Sequence, residues 1–207
     1  MAAVHVRAAA ITLLLCLPAT AAADAPATIP AARKWWAIGG RLGWNHSTEF
    51  VYGEYYDDGL VGWVNGVNVA VAALLQAPEL LAVQFEPSYS QKGARGSDWT
   101  TRSSYFEVPV LARIAPSWPV RPFGIAGFGL AFLLTSETCT DSGCRELYPK
   151  GQQSGAIIGG GVEATLPYGW AFAEVRWWHG LSQVFGTGEG ETDSKHRVLT
   201  LSIGYFY

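Results

Sequence analysis

An all-β chain folded as an eight-stranded antiparallel up-and-down transmembrane β-barrel is what this sequence of 207 residues predicts. Three observations carry it. Eight segments of about ten to fourteen residues alternate apolar with polar or small positions, the length a tilted membrane-crossing strand needs rather than the five or six residues of a soluble one. The connections between them alternate strictly between long and short, which sends every long loop to one end of the structure. The composition fits: 15% charged, 13% aromatic, 24 Gly, and nine each of Trp, Tyr and Phe. Soluble domains carry about 25% charged residues.

Taken in order, the first strand, Lys34–Asn45, carries Trp35, Trp36 and Trp44 and one charged candidate for the inner face, Arg41. The second, Gly62–Leu74, begins beside Trp63. The third, Leu80–Ser90, sets Leu81, Val83, Phe85 and Tyr89 against Gln84, Glu86, Ser88 and Ser90. The fourth, Ser104–Ile114, sets Phe106, Val108, Val110 and Ile114 against Glu107, Pro109 and Arg113. The fifth, Arg121–Leu134, has no clear face, because Phe123, Phe128, Leu130, Phe132 and Leu133 occupy both parities. In the sixth, Ser154–Leu166, Ile158, Val162 and Ala164 oppose Gly159, Gly161 and Glu163. In the seventh, Trp170–Gly180, Val175 and Trp177 oppose Glu174 and Arg176. The eighth, His196–Tyr207, sets Leu199, Leu201, Ile203, Tyr205 and Tyr207 against Val198, Thr200, Ser202 and Gly204. The long connections are His46–Val61, Gln91–Arg102, Thr135–Gln153 and Leu181–Lys195, four extracellular loops in this arrangement.

The apolar face is assigned to lipid. An eight-stranded barrel is narrow inside, and Phe85, Phe106, Trp177 and Tyr205 would crowd it, whereas the opposite face is small or chargeable. Aromatics also gather near strand ends, as in interfacial girdles. The inner charges are then Arg41, Glu86, Glu107, Arg113, Glu163, Glu174 and Arg176, read as an ion-pair network that plugs the lumen. Pro109 removes a ladder donor, for which a local bulge or a water is the expected remedy.

Residues 1–23 read as a secretory signal: Arg7, the apolar run from Ala8 to Pro18 that includes Cys16, then Ala21–Ala23 before Asp24. Residues 24–207 form the barrel domain. Losing the signal removes one arginine and no acid, leaving 13 basic against 17 acidic side chains and a net charge of about −4. That argues against a nucleic-acid partner. Cys139 and Cys144, in CTDSGC, read as a disulfide of an exported protein. Two thiolates without a nearby His do not complete a zinc shell, and no cofactor is expected.

The segments FEPSYSQKGAR, YFEVPVLARI, RPFGIAGFGLAFLL, RWWHGLSQV and VLTLSIGYFY occur in order over nearly the whole mature chain. Together they resemble the PorT-type outer membrane protein β-barrel family, most specifically at Tyr105-Phe106-Glu107-Val108-Pro109. The resemblance implies an eight-stranded barrel of the bacterial outer membrane and little about activity. It also implies that the C-terminal strand, with Tyr205 and Tyr207, is the signal read by the barrel-assembly machinery.

The expected role is structural, or surface interaction through the long loops with a ligand the sequence does not name, and no enzymatic activity. The competing readings are a lipid hydrolase with His179 as base, near Ser182 and Glu174, a narrow charge-lined pore, and a soluble periplasmic ligand-binding barrel. In the first loop, Glu49, Glu54, Asp57 and Asp58 match a calcium site poorly and read as a solvated acidic surface with Tyr52, Tyr55 and Tyr56. Gly159–Gly161 reads as a small-residue patch that leaves room across the barrel, not as a phosphate cradle.

Overall fold

The computed structural model describes residues 35–52, 59–77, 80–146, 151–182 and 193–207. The expected signal segment lies outside the described residues, as do Glu54, Tyr55, Tyr56, Asp57 and Asp58 of the first loop. The described strands are β1 (Trp36–Tyr52), β2 (Gly59–Leu60), β3 (Val64–Gln76), β4 (Leu81–Phe85), β5 (Ser88–Arg95), β6 (Trp99–Ile114), β7 (Val120–Thr140), β8 (Gly143–Glu146), β9 (Gln152–Leu166), β10 (Gly169–Gly180) and β11 (Asp193–Phe206). All pairings are antiparallel. They run from β1 through β11, β10, β9, β7 and β6 to β4 and β5, then β3, which pairs β1 again. The two segments β4 and β5 act as one barrel strand, and β2 and β8 are short additions beside β1 and β7. Eight strands thus close the ring.

Burial alternates along every long strand, because successive side chains point to opposite faces. On β6, Tyr105, Glu107, Leu111 and Arg113 are buried while Phe106, Val110 and Ile114 are exposed. On β7 the inward set begins on odd positions, with Arg121, Phe123, Ile125 and Ala131, and changes to even ones at Ser136. The register slip between Ser104 and Tyr105 causes this change, since β7 gains one residue at Leu134 relative to its neighbour. The bulge, together with the inward Phe123, is why this strand had no readable face.

The strands are longer than the sequence suggested, and the loops correspondingly shorter. Gln91–Arg102 is not a long loop: β5 continues to Arg95, β6 starts at Trp99, and three residues join them. Similarly, β1 continues to Tyr52, and β7 runs to Thr140 before turning into β8. These extensions are polar on both faces, so they lack the alternation that marks the lower strands. Cross-strand hydroxyl pairs hold them instead, Thr101 with Thr138 at 2.7 Å and Ser103 with Ser136 at 2.8 Å. Gly143 takes the β7–β8 turn at φ 133°, a conformation L side chains rarely adopt.

Pro109 needs no bulge. The register is unbroken across the gap between β4 and β5, from Phe85 opposite Val110 to Ser88 opposite Glu107. The Glu86 N–H donates to the Pro109 carbonyl at 3.1 Å, and the reciprocal bond has no donor. Across the other ladder, the Val71 N–H donates to the Pro87 carbonyl at 3.1 Å, again without a reciprocal. Two prolines thus interrupt both ladders at the level of Glu86.

The interior also departs from expectation. It is not only small and chargeable: Tyr105, Phe123, Phe172, Trp178 and Phe206 all point inward and are buried. Glycines on neighbouring strands make the room. A Cβ at Gly155 or Gly129 would lie 2.3 or 2.5 Å from the Trp178 ring, and one at Gly204 would lie 2.3 Å from Phe172. Gly161, within the expected small-residue patch, faces Phe123 in the same way, at 2.9 Å.

Candidate functional site

Two surfaces carry the chemistry of this barrel, its inner wall and its outer wall. The seven charges singled out in the sequence, Arg41, Glu86, Glu107, Arg113, Glu163, Glu174 and Arg176, are all buried inside. Glu49, Lys92 and Arg121 join them, giving five acids and five bases among the described buried side chains. Nearest the short-turn end, Glu163 is held between Arg113 and Arg121. The Arg113 guanidinium lies over Phe123 at 3.5 Å from the ring centroid, and it donates to Gln84 at 3.2 Å. Phe172 meets the Phe123 ring edge-on and stacks on Phe206, with 5.4 Å between the centroids of the stacked pair.

At the next level Arg176 bridges two carboxylates. It donates to Glu86 and Glu174, with Nη2 at 2.9 Å from Glu86 Oε1 and 3.0 Å from Glu174 Oε2. Gln84 donates to Glu86 at 2.6 Å, Ser202 donates to Glu174 at 3.3 Å, and Arg41 lies 3.5 Å from Glu86. Above it, Lys92 Nζ meets Glu107 at 2.5 Å and sits 3.9 Å over the Trp178 ring. Above that, Gln153 donates to the Tyr105 hydroxyl at 2.7 Å, which lies 3.2 Å from His196 Nε2. His196 Nδ1 is 3.5 Å from Glu49. Each charge therefore has an opposite charge or a polar partner at its own level, as buried charges require.

Sequence reasoning missed Lys92, Arg121, Glu49 and His196 for one reason: each lay in or beside a segment read as loop. Parity held the signal. Lys92 continues the inward series Ser88 and Ser90, and Arg121 precedes the inward Phe123 by two. Glu49 belongs to β1 and is buried, which removes it from the expected solvated acidic surface.

The hydrolase constellation is not assembled. His179 is exposed on the outer wall while Glu174 is buried inside, on opposite faces of β10. The Ser182 hydroxyl accepts the Ser154 N–H at 2.7 Å. Among the described residues no cluster of His, Cys, Asp and Glu could hold a metal ion. Cys139 and Cys144 stand opposite one another on β7 and β8 and form a disulfide, with Cα atoms 4.0 Å apart.

The outer wall is an unbroken apolar band. On β6 it runs through Phe106, Val108, Val110, Ala112 and Ile114; on β11 through Leu199, Leu201, Ile203 and Tyr205, with Tyr207 just past its end. Five outward positions span about 27 Å along a strand. At the usual barrel tilt of about 40° that is about 21 Å of height, close to the ~25 Å band of an outer-membrane barrel. No Asp, Glu, Lys or Arg interrupts the two series, and Trp35, Trp118, Tyr168 and Tyr207 ring the short-turn end. A soluble barrel would bury this face.

Residues 24–186 match the family model described as outer membrane protein beta-barrel domain. The chain belongs to that family. It is an integral β-barrel protein of the bacterial outer membrane. None of the curated proteins compared with it matches. Among solved structures, Neisserial surface protein A is 14% identical at a TM-score of 0.52, covering 82% of this chain and 95% of that one. The outer membrane protein OprG from Pseudomonas aeruginosa is 11% identical at a TM-score of 0.50, covering 83% and 95%. Ail, the attachment invasion locus protein of Yersinia pestis, is 12% identical at 0.45, covering 83% and 98%. At such identities, the first two likenesses show the fold.

Proposed function

We propose that this family member is a non-enzymatic outer-membrane barrel of the PorT type with a plugged lumen. It acts structurally or through what its strands present above the membrane, after export through a signal cleaved near residue 23. The observation that carries this reading is the balanced interior, five acids against five bases packed with Trp178, Phe172 and Phe206. An eight-stranded barrel leaves room for little beyond its own side chains. Recognition by the assembly machinery belongs to the last strand, whose Tyr205 and Tyr207 face outward. The affiliation with the PorT type rests on Phe85–Gly93 and Tyr105–Pro109, where Glu86 and Glu107 are the buried carboxylates. Planar-bilayer recording of the refolded protein tests the plug. The expected result is a silent membrane; steady conductance in proportion to added protein would favour the narrow pore instead.

A further inference from the structure

The outer wall carries one polar feature that the plugged-barrel reading does not use. Arg197 shares the lipid-facing parity of Leu199, Leu201 and Ile203 and stands one outward step above them. His179, exposed, is its direct partner across the β10–β11 ladder, and Lys195 follows on the same face. Directly opposite residues hold their Cβ atoms about 5 Å apart, and alternate ones on a strand about 7 Å. The Arg197 guanidinium lies over the Phe50 ring, 4.6 Å from its centroid. Its Nε is buried, and no acid pairs with Arg197 or His179 among the described residues.

An aromatic shelf lies beneath. Trp63 folds over the outer wall and stacks on His46, with centroids 4.6 Å apart and an interplanar angle of 1°. His46 Nδ1 is pinned by Asn65 Oδ1 at 2.8 Å. Trp44 lies 5.7 Å from His46, and Trp177 6.4 Å from Trp63. Trp44 and Trp63 remain 46% and 37% exposed, so flat aromatic faces are available just below the cations.

From this juxtaposition we infer that the wall formed by β1, β11 and β10 holds the headgroup of a phosphorylated glycolipid of the outer leaflet. Arg197 and His179 receive the phosphate, and the shelf around Trp63 takes the apolar face of a sugar ring. The depth suits this occupant, because the cations sit where the apolar band ends, the shelf lies level with Leu199 and Leu201, and acyl chains would lie along Ile203 and Tyr205 below. A guanidinium offers a planar fork of N–H donors suited to phosphate oxygens. The shelf favours a sugar-bearing headgroup over a plain anionic phospholipid.

The inference rests on the membrane-embedded reading, and the test separates the two. Full-length processed protein is refolded in zwitterionic detergent, and native mass spectrometry measures how much of it retains diphosphoryl lipid A, dephosphorylated lipid A or phosphatidylglycerol. Heat-modifiable migration is recorded for every variant, so loss of lipid retention is distinguished from loss of the barrel. The wild type is expected to retain diphosphoryl lipid A about tenfold better than the dephosphorylated form, the effect of one charge-assisted contact. Arg197→Gln combined with His179→Gln should abolish that preference. Arg102→Gln, exposed on β6, should leave it intact. Trp63→Leu should weaken retention of both lipid A forms. Equal retention of the two forms by the wild type, an unchanged preference in the double variant, or phosphatidylglycerol held as well as lipid A would each overturn the proposal.

Discussion

Arg176 is the residue on which the interior turns. It joins Glu86 and Glu174, both buried, and Glu86 lies 90 positions away in the chain. Replacing it with Met keeps the length and leaves two carboxylates short of a cation. Losing one partner of a buried pair costs about 3–5 kcal/mol. Arg176→Met should therefore lower the unfolding free energy of the detergent-refolded barrel in urea by about 3 kcal/mol or more. Glu107→Ala, which strands Lys92, should behave likewise, while Asp98→Asn at the exposed β5–β6 turn should change it by less than about 0.5 kcal/mol. Equal effects at all three positions would remove the case for a buried network. The inward direction of Glu86, Glu107 and Arg176 was legible from parity. That Lys92 is the base holding Glu107 was not, because Lys92 stands opposite Ser103 and its side chain reaches Glu107 along the lumen only once β5 pairs β6.

At the scale of elements, the strands were legible where lipid touches them and illegible above. Inside the membrane band one face must be apolar, so the period of two is written plainly. Beyond it both faces meet water or polar neighbours, and the chain reads as loop while it continues as strand. The β5–β6 and β7–β8 hairpins are the examples. The disulfide joins opposite positions of the second of these, one rung below the Thr140–Gly143 pair at its turn. Cys139 and Cys144 should stay unlabelled by maleimide in the folded, oxidised protein and label fully after reduction; ready labelling without reductant would contradict the pairing. Pro87 and Pro109 make the complementary point, although only Pro109 stood out in the sequence as a ladder defect. Both interrupt the ladders at one level, so β4 and β5 keep a common register.

For the molecule as a whole, the outer wall decides where it resides. Val110 is the middle of five outward apolar positions on β6. A charge there faces the centre of the hydrocarbon, at a cost of about 2–4 kcal/mol for Arg, against about 0–1 kcal/mol near an interface. Val110→Arg should accordingly destabilise the barrel in phospholipid bilayers by about 2–4 kcal/mol, and Gln91→Arg, at the upper edge of the band, by about 1 kcal/mol or less. The comparison is made by reversible unfolding in vesicles, and a Val110 variant as stable as the Gln91 variant would rule out a membrane-facing wall at this position.

Strand number, strand direction and the two faces of most strands were determined by the sequence alone. A strand repeats every two residues, and one wall of this barrel must satisfy hydrocarbon while the other cannot hold it. The tertiary structure alone decided what fills the lumen. Arg176 meets Glu86, Arg113 meets Glu163, and Trp178 enters the space left by Gly129 and Gly155. Those contacts cross the barrel between strands far apart in the chain, so they depend on closure and register, which no single strand encodes.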